Sequence, residues 1–235
     1  MSIRVVISDT ATGTHPDTIQ SMILAEHTGL TAAEIEIRVE GFATSVAYAE
    51  SIGAEAVVRS ITGLAGYITD ATTVYPDILC FVPMGSNSSV EITPPTSVPV
   101  IVTCGAGDTD NDTAYGPGLE FWDLDADANP SDDASSYANG RICGKILRIK
   151  DYWGCSWVAA RDHARRYATG GYARTDADGY GKIDLAAALA TKPIFPADDP
   201  GVVATSHRGT GYFTGSRRMW AQPSQFPYQT KGPRW

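Results

Sequence analysis

Residues 78–84 have the sequence ILCFVPM, seven apolar side chains in a row, and residues 98–104 have the sequence VPVIVTC, which is almost as apolar. A strand that faces solvent on one side alternates apolar and polar residues, whereas a strand covered on both faces is apolar throughout. Both segments therefore predict central strands of a sheet that is buried on its two faces.

Shorter strand-like runs and segments with helical spacing alternate along the rest of the chain. The predicted strands are residues 3–8, 35–39 and 54–60. The predicted helices are residues 16–26, 43–51, 64–74, 156–168 and 183–190. Residues 142–149 form a further apolar run. Strands that alternate with helices indicate a parallel sheet, because each crossover lays a helix over one face. We therefore predict an α/β fold, a three-layer α/β/α domain with a mostly parallel sheet, over residues 1–192.

Two segments differ from this pattern in composition. Residues 105–136 are rich in Asp, Asn, Gly, Pro and Ser, which predicts a long surface loop interrupted by the apolar cluster at residues 119–122. Residues 193–235 contain prolines that break any helix, with aromatic residues and arginines between them. Because aromatics and Arg are enriched at interfaces, we predict that this C-terminal arm docks on another subunit, in an oligomer or a larger assembly such as a virus particle, or back across the chain's own surface. The alternative is a disordered tail.

Composition excludes several classes of protein. Hydrophobic residues make up 43% of the 235 residues and charged residues 19%, which is not the composition of a disordered chain. No run approaches the roughly 20 apolar residues that a membrane-spanning helix needs, so no membrane partner is predicted. Acidic side chains outnumber basic ones by 27 to 18, which gives a net charge of −9. A negative protein repels the phosphates of nucleic acid, so no nucleic-acid partner is predicted.

The first ten residues and the cysteines bear on localisation. The sequence MSIRVVISDT begins a strand-like run with no basic region before it, so no secretory signal is predicted. The protein is expected to be synthesised in the cytoplasm, and its final location is not predicted. The four cysteines contain no C-x-x-C pair, which predicts buried free thiols and neither a zinc ribbon nor a disulfide scaffold.

Candidate catalytic residues follow from where ligands bind in a parallel sheet, namely at the carboxyl ends of its strands. Asp9 follows the first strand, His15 comes shortly after it, and Ser156 follows a glycine at the start of a predicted helix. A serine in that position either lies among N–H donors that can stabilise an oxyanion, or is a plain N-cap. Together the three supply a nucleophile, a base and an orienting carboxylate, which acyl transfer needs.

Several strings resemble motifs of the subtilisin-like serine proteases (subtilases), which also carry Asp, His and Ser in this order. VVISDT at residues 5–10 resembles the strand that ends in the catalytic Asp, and GTH at 13–15 resembles the end of the H-G-T-H motif. Residues 54–63 resemble the strand that closes in MSLGG, residues 78–87 resemble the strand that ends in AAGN, and residues 135–137 resemble the FSNYG region. Residues 154–160 (GCSWVAA) resemble the serine motif G-T-S-x-A-x-P. Residues 179–189 (GYGKIDLAAAL) resemble the C-terminal string GYGLVNAxAAL. The resemblance covers roughly residues 3–190.

The resemblance implies a serine endopeptidase that hydrolyses peptide bonds in a protein or peptide substrate without a cofactor. Ser156 would be the nucleophile, His15 the base and Asp9 the residue that orients it. The Ser156 N–H, with Asn87 or Ser86, would bind the oxyanion.

Calcium is the one ion that the resemblance makes a candidate, because many subtilases bind it. Asp108, Asp110 and Asp112 are clustered carboxylates of the kind that surround a hard cation. They lack the glycine and glutamate spacing of an EF-hand, and the alternative is a solvated acidic loop.

Departures from the family leave two functions open. Asp9 and His15 are six positions apart, where subtilases have a sizeable segment, so His15 is either the catalytic histidine after a deletion or a non-catalytic histidine of an HPD string. Asn87 is one place later than the matching column, and Ala160 stands where the family has proline. The alternative function is a catalytically eroded subtilase fold that serves as a structural or assembly subunit.

Overall fold

A computed structural model of the chain describes residues 2–10, 12–60, 78–85, 101–107, 113, 115–124 and 134–193. The predicted helix at residues 64–74 and all but the first residue of the C-terminal arm lie outside the described residues.

Within the described residues, the sheet has six parallel strands in the order β2-β1-β3-β4-β5-β6. The strands are β1 Val5–Asp9, β2 Ile35–Val39, β3 Ala56–Arg59, β4 Leu79–Pro83, β5 Ile101–Ala106 and β6 Phe121–Asp123. β4 and β5 are buried at every residue, because helices cover both faces of the sheet. The predicted α/β class with a parallel sheet is confirmed.

The strand β6 lies inside the segment that the sequence predicted to be a loop, so that prediction is wrong here. Its three residues are all buried, and Phe121 pairs with Cys104 of β5. A strand this short has too few residues to show an alternating pattern, and its stability comes from pairing with the neighbouring strand.

The described residues form these α-helices: α1 Thr14–Glu26, α2 Phe42–Ile52, α3 Ala134–Trp153, α4 Trp157–Arg166 and α5 Leu185–Ala190. Phe42 and Val46 of α2 pack with Val6 and Val57 on one face of the sheet. Helices α1 and α3 pack on the opposite face, with α4 and α5 beside them. Helix α3 has 20 residues and begins within the predicted loop, so it is longer than the apolar run at residues 142–149 that the sequence analysis identified.

Helix α3 runs from the carboxyl edge of the sheet to its amino edge. At its start, Ser136 Oγ donates to the carbonyl oxygen of Ser60, the residue after β3 (2.6 Å). At its end, Asp151 accepts hydrogen bonds from the Arg4 guanidinium (2.7 Å), just before β1, and from His27 Nε2 (2.9 Å), just after α1. Among the described residues, no helix combines the length and the apolar character needed to cross a membrane.

Helices α1 and α3 lie side by side, and two glycines of α3 let them approach closely. A Cβ on Gly140 would lie 2.9 Å from the carbonyl oxygen of Ile19, and one on Gly144 would lie 2.6 Å from that of Ile23. From the Gly140–Ile19 contact to the Gly144–Ile23 contact, the residue number increases by four in both helices, so the two helices run parallel and in register.

Candidate active site

Asp9 and His15 meet at the carboxyl edge of the sheet. Asp9 is the last residue of β1, and His15 is the second residue of α1, so only four residues of sequence separate the two elements. His15 Nδ1 lies 3.0 Å from Asp9 Oδ2, and Asp9 Oδ1 accepts from the Thr10 N–H at 2.5 Å. A carboxylate only accepts hydrogen bonds, so this contact places the proton of a neutral His15 on Nδ1.

The other ring nitrogen of His15 is thereby left with a lone pair. Nε2 is buried and has no hydrogen-bond partner among the described residues. The ring contacts Tyr137 near the start of α3, with 5.3 Å between the ring centroids. An imidazole oriented by a carboxylate, with its second nitrogen unprotonated, is the arrangement of a general base.

The structure does not bring Ser156 to this pair. Ser156 lies beyond the end of α3, at the amino edge of the sheet, and α3 alone spans about 30 Å. Its hydroxyl accepts the Ala159 N–H at 3.0 Å, which makes it the N-cap of α4. The N-cap alternative therefore describes this residue. The resemblance of residues 154–160 to a serine motif does not distinguish a nucleophile from an N-cap, because a glycine and a serine before a helix are equally typical of an ordinary helix start.

Two other serines, Ser135 and Ser136, lie in the first turn of α3, directly before Tyr137, whose ring contacts His15. Ser135 Oγ is buried and has no hydrogen-bond partner in the part of the chain that the structure describes. Ser136 Oγ donates to the carbonyl oxygen of Ser60, and the Ser60 N–H donates to the carbonyl oxygen of Ser8 (3.1 Å), next to Asp9.

The register of α1 and α3 distinguishes these two serines. Gly144 faces Ile23 and Gly140 faces Ile19, so one further turn back along both helices sets Ser136 against His15. Ser135 shares its face with Asn139, whose side-chain amide donates to the carbonyl oxygens of Arg59 and Phe81. Ser136 is therefore on the side of α3 that faces α1, and Ser135 is on the side that faces the sheet.

The remaining predicted site residues cannot be compared with the structure. Ser86 and Asn87, the predicted oxyanion donors, and the three aspartates Asp108, Asp110 and Asp112 lie outside the described residues. Within the described residues, no group of three or more His, Cys, Asp or Glu side chains could hold a metal ion.

Sequence reasoning missed Ser136, although a signal for it exists. Ser136, Gly140 and Gly144 recur every four residues, as do His15, Ile19 and Ile23. Small residues at this spacing form a stripe on one side of a helix and allow a second helix to approach closely.

The fold of the described residues is similar to that of solved structures. MycP1 from Mycobacterium smegmatis superposes with a TM-score of 0.57 at 15% identity, covering 82% of this chain and 80% of that one. The MycP3 protease of the type VII (ESX-3) secretion system superposes with a TM-score of 0.58 at 14% identity, covering 80% and 83% of the two chains. The subtilisin-like protease Apa1 from the Antarctic psychrotroph Pseudoalteromonas sp. AS-11 gives a TM-score of 0.55 at 10% identity, covering 80% and 92%.

The chain has the subtilisin-like fold. Its sequence matches no protein-family model and no curated protein, so the assignment rests on structure. A subtilisin-like fold can host more than one function, and the chemistry of this chain follows from its own residues.

Proposed function

We propose that this chain is a subtilisin-like serine endopeptidase in which Ser136, and not Ser156, is the nucleophile. Asp9 orients the His15 ring and His15 Nε2 is the general base. The single observation that supports this is the register of α1 and α3: continued one turn back from the approach of Gly140 to Ile19, it pairs position 136 with His15, whose Nδ1 is bonded to Asp9.

The proposed reaction begins with a movement of the Ser136 hydroxyl. Rotation about the Cα–Cβ bond of Ser136 turns Oγ from the Ser60 carbonyl toward His15 Nε2. Ser136 Oγ then attacks the peptide carbonyl carbon while Nε2 takes its proton. The same proton passes to the leaving amine as the peptide C–N bond breaks. In the second half of the reaction, His15 takes a proton from the water that attacks the acyl-enzyme and returns it to Ser136 Oγ as the ester bond breaks.

The start of α3 supplies electrostatic stabilisation. The first N–H groups of a helix have no partner within the helix, and its dipole is positive at that end. Ser136 lies in the first turn of a 20-residue helix, so these N–H groups point toward the carbonyl oxygen that becomes negative during attack.

A fluorophosphonate probe tests the assignment, because it labels only an activated serine. We expect labelling of the native chain to be lost in Ser136→Ala and in His15→Ala. Ser135→Ala and Ser156→Ala are the matched controls and should still be labelled. Hydrolysis of a fluorogenic peptide library should follow the same order.

Three other outcomes would count against the proposal. Labelling lost only in Ser135→Ala would move the nucleophile by one residue. Labelling lost only in Ser156→Ala would restore the first assignment. A folded native chain that takes up no probe and cleaves no peptide would mean that the fold is serving as a structural subunit.

A further inference from the structure

A polar cavity lies at the amino edge of the sheet, at the opposite edge from Asp9 and His15. Its volume is about 210 Å³, and its walls are formed by Ile101 and Thr103 of β5, residues 117–120, and the side chains of Arg161, Arg165, Arg174 and Tyr180. Three of these ten residues carry a positive charge and one, Glu120, carries a negative charge.

Glu120 is buried between two of the arginines. Arg161 Nε donates to its Oε1 at 2.7 Å and Arg161 Nη2 donates to its Oε2, while Arg165 Nε donates to Oε1 at 2.9 Å. Burial by itself would raise the pKa of the Glu120 carboxyl, but the two guanidiniums hold it below its usual value. One carboxylate thus faces two fixed cations, which leaves one positive charge in excess.

Arg174 adds a third guanidinium whose position is set by the backbone. Its Nε donates to the carbonyl oxygen of Leu119 (3.1 Å) and its Nη2 to that of Gly116 (2.8 Å). Its partner carboxylate, Asp176, is 62% exposed at the side chain, and such a solvated pair neutralises the guanidinium only weakly.

Both outer arginines keep N–H groups that can donate to a ligand. Arg165 uses Nε and Nη2 on Glu120, and its Nη1 donates to no acceptor among the described residues. Each terminal nitrogen of Arg174 carries two N–H groups and makes one hydrogen bond, at 3.0 Å for Nη1 and 2.8 Å for Nη2. Tyr180 lines the same cavity, and its ring lies 5.3 Å from the Arg165 guanidinium carbon.

We propose that this cavity binds a small oxyanion, of the phosphate or carboxylate class, between the guanidiniums of Arg165 and Arg174. The planar guanidinium fork matches the geometry of both groups. The cavity has room for a phosphate and a few waters, since a water occupies about 30 Å³ in the liquid. The chain as a whole carries a net charge of −9, so attraction of an anion requires a local site of this kind.

Isothermal titration calorimetry tests this on the full chain at constant ionic strength, with inorganic phosphate in one series and acetate in another. We expect saturable, one-site binding of at least one of the two, and the comparison identifies the class. Arg165→Gln and Arg174→Gln should each weaken binding about tenfold or more. Arg38→Gln is the matched control, because Arg38 bonds Glu36 and Glu40 at the edge strand β2 and does not line the cavity.

Circular dichroism establishes that each variant is folded, and Arg165→Lys provides a second variant that keeps the charge. Saturable binding that is weakened by both Gln variants and retained in Arg38→Gln supports the proposal. The proposal is overturned if neither anion binds the wild-type chain saturably, or if a folded Arg165→Gln/Arg174→Gln double variant binds as tightly as the wild type. Neither result depends on peptidase activity.

Discussion

Gly144 of α3 approaches the carbonyl oxygen of Ile23 so closely that a Cβ at position 144 would lie 2.6 Å from it. The contact fixes the separation of the helices that carry His15 and Ser136. A substitution here is therefore expected to act on folding and on the candidate active site together.

We expect Gly144→Ala to lower the free energy of unfolding by about 1–3 kcal/mol, because a backbone carbonyl cannot move aside as a side chain can. Urea unfolding measures this change. Gly41→Ala is the control, since a Cβ there meets nothing nearer than 4.0 Å, and its effect should be smaller. Fluorophosphonate labelling should also slow in Gly144→Ala. Equal stabilities of the two variants would contradict the close contact.

Asp9→Asn should reduce the rate of fluorophosphonate labelling by about 10³- to 10⁴-fold. An amide can donate to Nδ1, which would stabilise the tautomer with the proton on Nε2 and remove the base. Asp17→Asn, an exposed carboxylate in the first turn of the same helix α1, is the control and should leave the rate unchanged. A comparable loss in both variants would argue against a specific role for Asp9.

Ser156→Ala should lower stability by about 1 kcal/mol without changing the labelling rate, because its hydroxyl caps α4. Ser156→Asp should preserve most of that stability, since a carboxylate also accepts the Ala159 N–H. Chemical denaturation and labelling of the same samples separate the two effects. A labelling rate that falls while stability is kept would return Ser156 to the active site.

Asp151 should make stability depend on acid pH. Burial alone would raise the pKa of its carboxyl, but hydrogen bonds from His27 and Arg4 hold it well below its usual range. A group with a depressed pKa in the folded state stabilises the protein above its unfolded pKa, and this contribution is lost as pH falls toward the folded value. We expect Asp151→Asn to cost about 1 kcal/mol at pH 7, with the difference from wild type shrinking below about pH 4. Urea unfolding at pH 7, 5 and 3 measures this, and a difference that is constant with pH would contradict it.

The four cysteines should resist modification in the folded protein. Burial raises the pKa of the Cys80 thiol to about 12 and that of Cys155 to about 11, so the reactive thiolate is scarce near pH 8. Ellman's reagent should titrate the thiols slowly in buffer and all four rapidly in guanidinium chloride. Fast reaction of the native chain would show that one of them is accessible.

Periodicity alone was sufficient to predict the fold class. The apolar runs that became β4 and β5 require cover on both faces, and the helical spacing between strands supplies that cover. The position of Asp9 at a strand end and of His15 shortly after it also follows from local sequence, because a short turn keeps the two side chains close.

The tertiary structure alone decided which serine lies beside His15. Ser136 is 121 residues further along the chain, and its position depends on the packing of α3 against α1. Local sequence favoured Ser156, which stands directly before a helix, and a helix start has the same local signals whether or not it is catalytic. Which helix start reaches the carboxyl edge of the sheet is set by the direction of α3, and that direction is fixed by contacts between residues far apart in the sequence.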